Sequence, residues 1–160
     1  MEPLHVGMGE YRVVREAPPL RCVGLGSCVA LALYDPATRL GGVAHIMLPS
    51  RQEATSLTKA GKFADSSIQL MVRRMEELGA SGRRLKAKLF GGANMFPSVP
   101  GNVLIRIGER NIQAVKEELM KRRIALVAED VGGHRGRSIL FTPHDGVVRV
   151  TYIHGEERVY

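Results

Sequence analysis

A cysteine and a histidine in the first third of the chain have the side chains that acyl-transfer chemistry needs. Cys28 follows Gly26 and Ser27 at the start of an apolar run, and His45 is a polar residue inside a second apolar run. A thiol attacks a carbonyl carbon as the thiolate, so it needs a base or a cation nearby, which a histidine supplies. A structural interpretation stays open, because free cysteines are often buried and a histidine in a strand is often a core residue.

The turn before Cys28 offers a second element of such a site. A glycine at position 26 lets the backbone bend, so Gly26 and Ser27 are candidates for binding substrate or stabilising an oxyanion through their N–H groups. Ser27 itself does not lie in the GxSxG motif of serine hydrolases, since the sequence here is GLGSC. We therefore assign Ser27 to the turn and the nucleophile to Cys28.

The other polar residues do not predict a metal, disulfide or acid–base site. Cys22 and Cys28 are not spaced as CxxC, and the five scattered histidines add no second ligand pair, so we expect no metal and no other cofactor. Asp35 and Asp145 lie in DP and DG turns, and Asp130 precedes a glycine-rich turn. We expect structural roles for all three aspartates.

The spacing of apolar residues predicts many strands and two helices. Strands are expected at residues 11–15, 21–25, 28–34, 43–48, 85–90, 124–128, 138–141 and 147–153. Helices are expected at residues 61–79 and 109–123, where apolar residues recur every three or four positions. The segment GGANMFPSVPG predicts a loop long enough to cover a site, in which Phe96 is either a substrate contact or an anchor in the core.

The pairing of the two strands that carry Cys28 and His45 decides whether these residues can meet. A hairpin with Tyr34 opposite Gly42 places them on opposite faces of the sheet. With Tyr34 opposite Gly41 they become diagonal neighbours on one face, because side chains alternate with a period of two. The sequence leaves both registers open.

Length, composition and element order limit the fold class. The 160 residues, of which 44% are hydrophobic and 24% charged, predict a single domain over residues 1–160. The strands do not alternate strictly with helices, which favours a layered α/β (α+β) fold with mixed β-sheets and two main helices. No apolar run approaches the roughly 20 residues of a membrane-spanning helix, and the start lacks a signal-peptide pattern. We therefore expect a cytoplasmic protein without membrane insertion.

The chain is basic, with 23 Lys and Arg against 16 Asp and Glu and a formal charge of +7. The basic residues are scattered in pairs and triplets, and the absence of Trp and the 5% aromatic content leave little material for stacking on bases. We expect most of these charges to serve solubility and nucleic acid not to be a partner.

An ordered set of motifs resembles a known family. The segments, which run from about Gly7 to Thr151, are LGSCVALALYDP, GGVAHIMLPS, GKFADSSI, KLFGGANMF, IGERNIQAV and AEDVGGHRGRSILF. Together they resemble the CheD family, the chemoreceptor glutamine deamidases of bacterial and archaeal chemotaxis. The resemblance implies a three-layer sandwich similar to that of cysteine hydrolases of the cytotoxic necrotizing factor type.

The resemblance also implies a reaction. Members of the family convert glutamine side chains of methyl-accepting chemotaxis receptors to glutamate and ammonia through a cysteine thioester, and some also hydrolyse receptor methyl esters. The family's nucleophile falls on Cys28, its histidine on His45, and its third active-site residue, a threonine, on Cys22. The last position is a departure, since a thiol is a weaker hydrogen-bonding group than a hydroxyl. No cofactor is implied.

A second function follows from the same resemblance. CheD proteins are also partners of CheC, the phosphatase of phosphorylated CheY, so a heterodimer with a CheC-like phosphatase is expected where one is present. In this alternative the chain is mainly a non-enzymatic regulator of that phosphatase, and Cys22 at the threonine position keeps the alternative open. In the enzymatic interpretation, the positive charge would speed encounter with receptor helices rich in Glu and Gln.

Overall fold

Two five-stranded sheets and two α-helices make up the part of the chain that the structure describes. The structure is a computed structural model, and it describes residues 1–51, 60–96 and 106–160. The strands are β1 (Leu4–His5), β2 (Tyr11–Arg15), β3 (Leu20–Leu25), β4 (Val29–Asp35), β5 (Leu40–Ile46), β6 (Lys86–Gly91), β7 (Ala125–Val131), β8 (Arg137–Thr142), β9 (Val147–Tyr152) and β10 (Glu157–Val159). The helices are α1 (Ala64–Glu77) and α2 (Ile107–Lys121), and a 3₁₀ turn (Ala60–Lys62) precedes α1.

Both sheets are mixed. The first, here called the outer sheet, has the strand order β1-β3-β8-β9-β10, and within it only β1 and β3 are parallel. The second, here called the central sheet, has the order β2-β5-β4-β6-β7, and within it only β6 and β7 are parallel. The sequence-based prediction of mixed sheets with two main helices is confirmed.

The central sheet is covered on both faces, which gives the molecule three layers. Along β4, Val29, Leu31 and Leu33 pack into the core formed with the two helices. The alternate residues Ala30 and Ala32 pack into the core formed with the outer sheet. Successive side chains of a strand point to opposite faces, so burial on both faces explains the uninterrupted apolar run of β4.

The helices contribute their apolar faces to the core on one side of the central sheet. From α1 the buried residues include Ile68, Met71 and Met75, and from α2 they include Val115 and Leu119. Their spacing of three or four residues is that of one helical face. This periodicity is the reason why both helices were predictable from the sequence.

Strand β5 begins at Leu40, three residues earlier than the sequence predicted. The sequence prediction missed this start because Gly41 and Gly42 are weak strand formers. Glycine is nevertheless required at position 41, since an added Cβ would lie 2.7 Å from the ring of Phe141 on β8. Tyr34 pairs with Gly41, which is the register that places positions 28 and 45 on the same face of the central sheet.

The shortest strands were not predicted from the sequence. β1 and β10 have two and three residues, too few for an alternating pattern to be recognised. The predicted loop at residues 91–101 is described as far as Phe96, and residues 97–101 lie outside the described part. Phe96 is 62% exposed, so it does not anchor the loop in the core.

Candidate active site

Cys28 lies in the turn that connects β3 to β4. The Ala93 N–H donates to the Gly26 carbonyl at 2.8 Å, and the Gly92 N–H donates to the Cys28 carbonyl at 2.9 Å. The thiol-bearing residue is half-buried and packs against the core between the two sheets. The segment that follows β6 therefore fixes the backbone on which the thiol is carried.

His45 lies on β5 with its ring almost fully buried and held at one nitrogen. Its Nδ1 is 3.1 Å from the carbonyl oxygen of Val6. A carbonyl can only accept, so Nδ1 must carry the hydrogen, and in the neutral ring Nε2 then has the free lone pair. This Nε2 is buried and has no hydrogen-bond partner among the residues that the structure describes. The imidazole is thus oriented as a base whose accepting atom is unoccupied.

The strand register brings Cys28 and His45 to one face of the central sheet. His45 is directly opposite Ala30, and Cys28 precedes Ala30 by two positions, so the two residues are diagonal neighbours. Since Nε2 has no partner in the described residues, the thiol and the imidazole are not hydrogen-bonded in this structure. Such bonds are often long in enzymes without substrate and shorten when it binds.

Cys22 reaches the same layer from the outer sheet. It lies on β3, pairs with Ile139 of β8, and is fully buried in the core between the sheets. The Nδ1 atom of His45 is already occupied by the Val6 carbonyl. The role that the resemblance assigns to Cys22 stays a prediction, and the structure supplies a backbone group that orients the imidazole.

Burial favours the uncharged forms of both cysteines and of His45. Burial raises the pKa of the Cys28 thiol above its ordinary value of 9.0. Burial, and then the nearby Cys28, raise the pKa of Cys22 to about 12. Burial also lowers the pKa of His45 below its ordinary value of 6.5, and this outweighs the raising effect of the Val6 hydrogen bond. The resting pair at neutral pH is therefore a thiol and a neutral imidazole.

Asn111 on α2 joins the two segments that carry the thiol and the imidazole. Its Nδ2 donates to the Ser27 carbonyl and to the Met47 carbonyl, both at 3.0 Å. Ser27 directly precedes Cys28, and Met47 follows the strand of His45 by one residue. Our sequence reasoning missed Asn111. The available signal was a polar residue four positions before Val115, on the apolar face of an amphipathic helix.

A shallow groove of about 290 Å³ runs beside the turn of Cys28. Its lining includes Gly26 and Met95 on one side and Tyr152 and Ile153 on the outer sheet. Met95 is 43% exposed and Ile153 is 75% exposed. The groove is therefore an apolar surface, open to solvent, that begins two residues from the thiol.

Two of the aspartates have structural partners. Asp35 is fully buried, and its carboxylate accepts from the Arg84 side chain at 2.9 Å and from the Ala37 and Ser81 N–H groups. Asp145 accepts the Val147 N–H at 2.9 Å in the turn before β9. Structural roles for both were expected from their turn sequences.

Asp130 is the centre of a buried polar network rather than a turn residue. Its carboxylate accepts from the Arg137 guanidinium at 2.6 Å, from the Tyr160 hydroxyl at 2.5 Å and from the Tyr152 hydroxyl. Burial by itself raises the pKa of Asp130, but these partners outweigh it and hold the pKa below its ordinary value of 3.8. The network joins β7 to β8, β9 and Tyr160.

Comparison with known proteins decides the family. The model of the family described as CheD chemotactic sensory transduction matches residues 47–152. A protein of Syntrophomonas wolfei, named probable chemoreceptor glutamine deamidase CheD, is 44% identical over 154 residues, which are 96% of this chain and 96% of that protein. This chain belongs to the CheD family. The resemblance seen in the sequence motifs is thereby confirmed.

Further CheD relatives match the chain over nearly its whole length. Proteins with the same printed name are 44% identical in Archaeoglobus fulgidus, over 95% of this chain and 94% of that one, and 43% identical in Thermococcus kodakarensis, over 91% and 89%. Among solved structures, Bacillus licheniformis hypothetical protein YfiH is similar with 15% identity and a TM-score of 0.42. That similarity covers 71% of this chain and 47% of YfiH, so the chain spans about half of that protein.

The remaining features of this CheD chain concern metals and membranes. Within residues 1–51, 60–96 and 106–160, no group of three or more His, Cys, Asp or Glu side chains is arranged to hold a metal ion. In the same residues, no helix has both the length and the apolar character needed to cross a bilayer.

Proposed function

We propose that this chain is a cysteine-dependent glutamine deamidase that acts on methyl-accepting chemotaxis receptors. The main support is the similarity to relatives named chemoreceptor glutamine deamidase, at 44% identity over almost the entire length of both chains. The geometry adds independent support, because Cys28 and His45 share one face of the central sheet and Nε2 of His45 has no hydrogen-bond partner in the described part of the chain.

In the proposed reaction His45 acts first as a base. Nε2 takes the proton from the Cys28 thiol, and the thiolate attacks the side-chain amide carbon of a receptor glutamine. A neutral thiol in the resting state means that this proton moves when substrate is present, rather than before it binds. The Val6 carbonyl stabilises the imidazolium that forms, since it accepts from Nδ1 in both protonation states.

The turn of Gly26 and Ser27 is the proposed oxyanion site. The carbonyls of Gly26, Ser27 and Cys28 accept hydrogen bonds from Ala93, Asn111 and Gly92, which fixes the turn before substrate arrives. Backbone N–H groups of this fixed turn would stabilise the negative oxygen of the tetrahedral intermediate.

Product formation uses the same two side chains. The imidazolium gives its proton to the leaving nitrogen, ammonia departs, and a thioester between Cys28 and the former glutamine remains. His45 then removes a proton from water, which attacks the thioester and releases glutamate and the free thiol. A glutamyl methyl ester would follow the same steps and release methanol, so methylesterase activity is part of the proposal.

We also propose where the chain acts and with what it assembles. Receptor methylation helices are the proposed substrate, and a CheC-like phosphatase is a proposed partner in a heterodimer, on the basis of the family resemblance. A thiol nucleophile must stay reduced, which supports a cytoplasmic site of action. The two cores share the central sheet, which supports a single CheD domain over residues 1–160.

Mass spectrometry of a receptor fragment tests the reaction. A methylation-helix fragment that carries glutamine gains about one dalton on deamidation, because an amide NH₂ is replaced by OH. We expect this shift with the wild-type chain and its loss with Cys28→Ala. Gln113→Ala is the control that should retain the activity, since it changes an exposed side chain of α2 that the proposed reaction does not use.

Two results would contradict the proposal. One is an unchanged deamidation rate in Cys28→Ala. The other is the absence of the shift with every receptor fragment from the same organism, together with binding to a CheC-like phosphatase in size-exclusion chromatography. The second result would favour the regulatory alternative.

A further inference from the structure

The short turn at residues 7–10 forms hydrogen bonds with the backbone of His45. The Gly9 N–H donates to the His45 carbonyl at 2.9 Å, and the His45 N–H donates to the Glu10 carbonyl at 2.9 Å. Val6, which directly precedes the turn, accepts from Nδ1 of the same residue. Both backbone groups of His45 and its ring are thus bonded to one five-residue segment.

The carboxylate of Glu10 accepts a hydrogen bond from within the same turn. Its Oε1 accepts the Gly7 N–H at 2.7 Å, and the Glu10 N–H donates to the Gly7 carbonyl at 3.0 Å. The peptide N–H that the carboxylate holds belongs to the same peptide group as the Val6 carbonyl. The side chain of Glu10 therefore fixes the orientation of the peptide plane that presents its oxygen to the imidazole.

The glycines of this region allow the close contacts. An added Cβ on Gly7 would lie 2.5 Å from the Glu10 carboxylate oxygen. An added Cβ on Gly61, in the 3₁₀ turn before α1, would collide with the Gly9 carbonyl oxygen. The 3₁₀ turn therefore packs directly against residues 7–10, and the absence of a side chain at Gly7 leaves room for the Glu10 carboxylate.

We propose that Glu10 is a positioning residue, which holds the 6–7 peptide so that the Val6 carbonyl fixes His45 as the Nδ1–H tautomer. This inference rests on the proposed function, in which His45 is the base and Nε2 must have the free lone pair. Glu10 does not touch the reacting atoms and acts only through the turn.

The charge of Glu10 also affects the pKa of His45, and this effect can be tested separately from the hydrogen bond to Gly7. Glu10 favours the imidazolium and raises the pKa of His45, whereas His5 lowers it, and burial outweighs both. Lys62 is a further charged residue here, and its side chain packs against Gly9. The neighbouring Cys28 is uncharged at neutral pH because burial raises its pKa.

Two substitutions separate the hydrogen bond from the charge. Glu10→Asp keeps the charge but shortens the side chain by one methylene, so that it no longer reaches the Gly7 N–H. Glu10→Gln keeps an oxygen acceptor of the same reach and removes the charge. Glu77→Gln on α1 is the matched control, because it removes an exposed carboxylate far from this turn.

The primary readout is the tautomer of His45 in ¹⁵N-labelled protein, measured by NMR from the chemical shifts of the two ring nitrogens. We expect the Nδ1–H form in the wild-type chain, in Glu10→Gln and in Glu77→Gln, and a mixture of tautomers in Glu10→Asp. We also expect the pKa of His45 to fall in Glu10→Gln. Deamidation should drop by about 10-fold to 100-fold in Glu10→Asp, because the base is misplaced.

The outcomes distinguish this inference from the proposed function. A Glu10→Asp variant with the tautomer and the deamidation rate of the wild type overturns the positioning role. If Glu10→Asp does not fold, loss of the Nδ1–H form in folded Glu10→Gln overturns it equally, since the acceptor is still present. If the wild-type chain deamidates no receptor fragment, but Glu10→Asp shows the expected mixture of tautomers, the proposed function is refuted and the positioning role is supported.

Discussion

Replacement of Asn111 by alanine tests whether one buried amide holds the two halves of the site together. The amide donates to the carbonyls of Ser27 and Met47, and it is fully buried. The alanine variant loses both hydrogen bonds and leaves the carbonyls of two half-buried residues without this donor. Losing a hydrogen bond whose partner carbonyl is half-buried costs about 1 to 2 kcal/mol, so for the two bonds together we expect the free energy of unfolding to fall by about 2–4 kcal/mol.

The consequence for catalysis is separate from the loss of stability. Without the amide, the turn that carries Cys28 and the end of the His45 strand are no longer joined, so the thiol shifts relative to Nε2. A displacement on the order of 1 Å costs about 100-fold in rate. We therefore expect deamidation by Asn111→Ala to fall by about 10-fold to 100-fold at a temperature where the variant is fully folded.

Chemical denaturation monitored by circular dichroism measures the free energy of unfolding. The mass shift of a receptor fragment over time measures the deamidation rate. Gln113→Ala is the matched control, because Gln113 is exposed on the same helix and its side chain donates to Glu117, one turn further along α2. We expect the control to change stability by less than about 0.5 kcal/mol. An Asn111→Ala variant as stable and as active as this control would refute the reasoning.

Four further predictions follow from the site and its surroundings. His45→Ala should lower the deamidation rate by about 10²-fold to 10⁴-fold, and retention of most of the activity would mean that another group is the base. As the pH is lowered, kcat/KM should begin to fall only below pH 6.5, because the imidazole must be neutral to accept a proton and burial lowers the pKa of His45 from its ordinary value of 6.5. A pH–rate profile in which kcat/KM already falls above pH 6.5 contradicts this. Cys22→Thr should leave the rate close to that of the wild type, because the Val6 carbonyl already holds the imidazole, and a large gain would instead give the threonine position a direct role. The pKa of Asp130 is lowered on folding, so its contribution to stability is present above the ordinary value of 3.8 and is lost as the pH falls through the lower folded value. Acid unfolding curves should therefore depend less on pH in Asp130→Asn, and identical slopes would contradict this.

The sequence predicted the parts of the fold that follow from side-chain periodicity. The apolar run of β4 and the helical spacing of α1 and α2 indicate burial directly, and the structure has all three elements close to the predicted positions. The pairing register was not predictable, because both alternatives bury apolar residues from a strand that is covered on both faces. It is set by tertiary packing, including the close contact of Gly41 with the outer sheet.

The candidate site was predictable only in its reactive side chains. Cys28 and His45 are residue types that have reactivity of their own, so they could be named from the sequence. The group that orients the imidazole is a backbone carbonyl of Val6, which has no signature in the type of that residue. Glu10 acts through a peptide N–H and Asn111 through two carbonyls, so their roles appear only when the strands and turns are assembled.

The strand order of the outer sheet makes the strand that carries Cys22 depend on a distant part of the sequence. Strand β3 has only β1 and β8 as hydrogen-bonded neighbours among the described strands, and β1 has two residues. Strand β1 is too short to support β3 by itself, so β3 depends on β8, which lies more than 100 residues further along the sequence. Contacts between residues so far apart slow folding, because a long loop must close before they form. We therefore expect the layer that carries Cys22 to form late in folding.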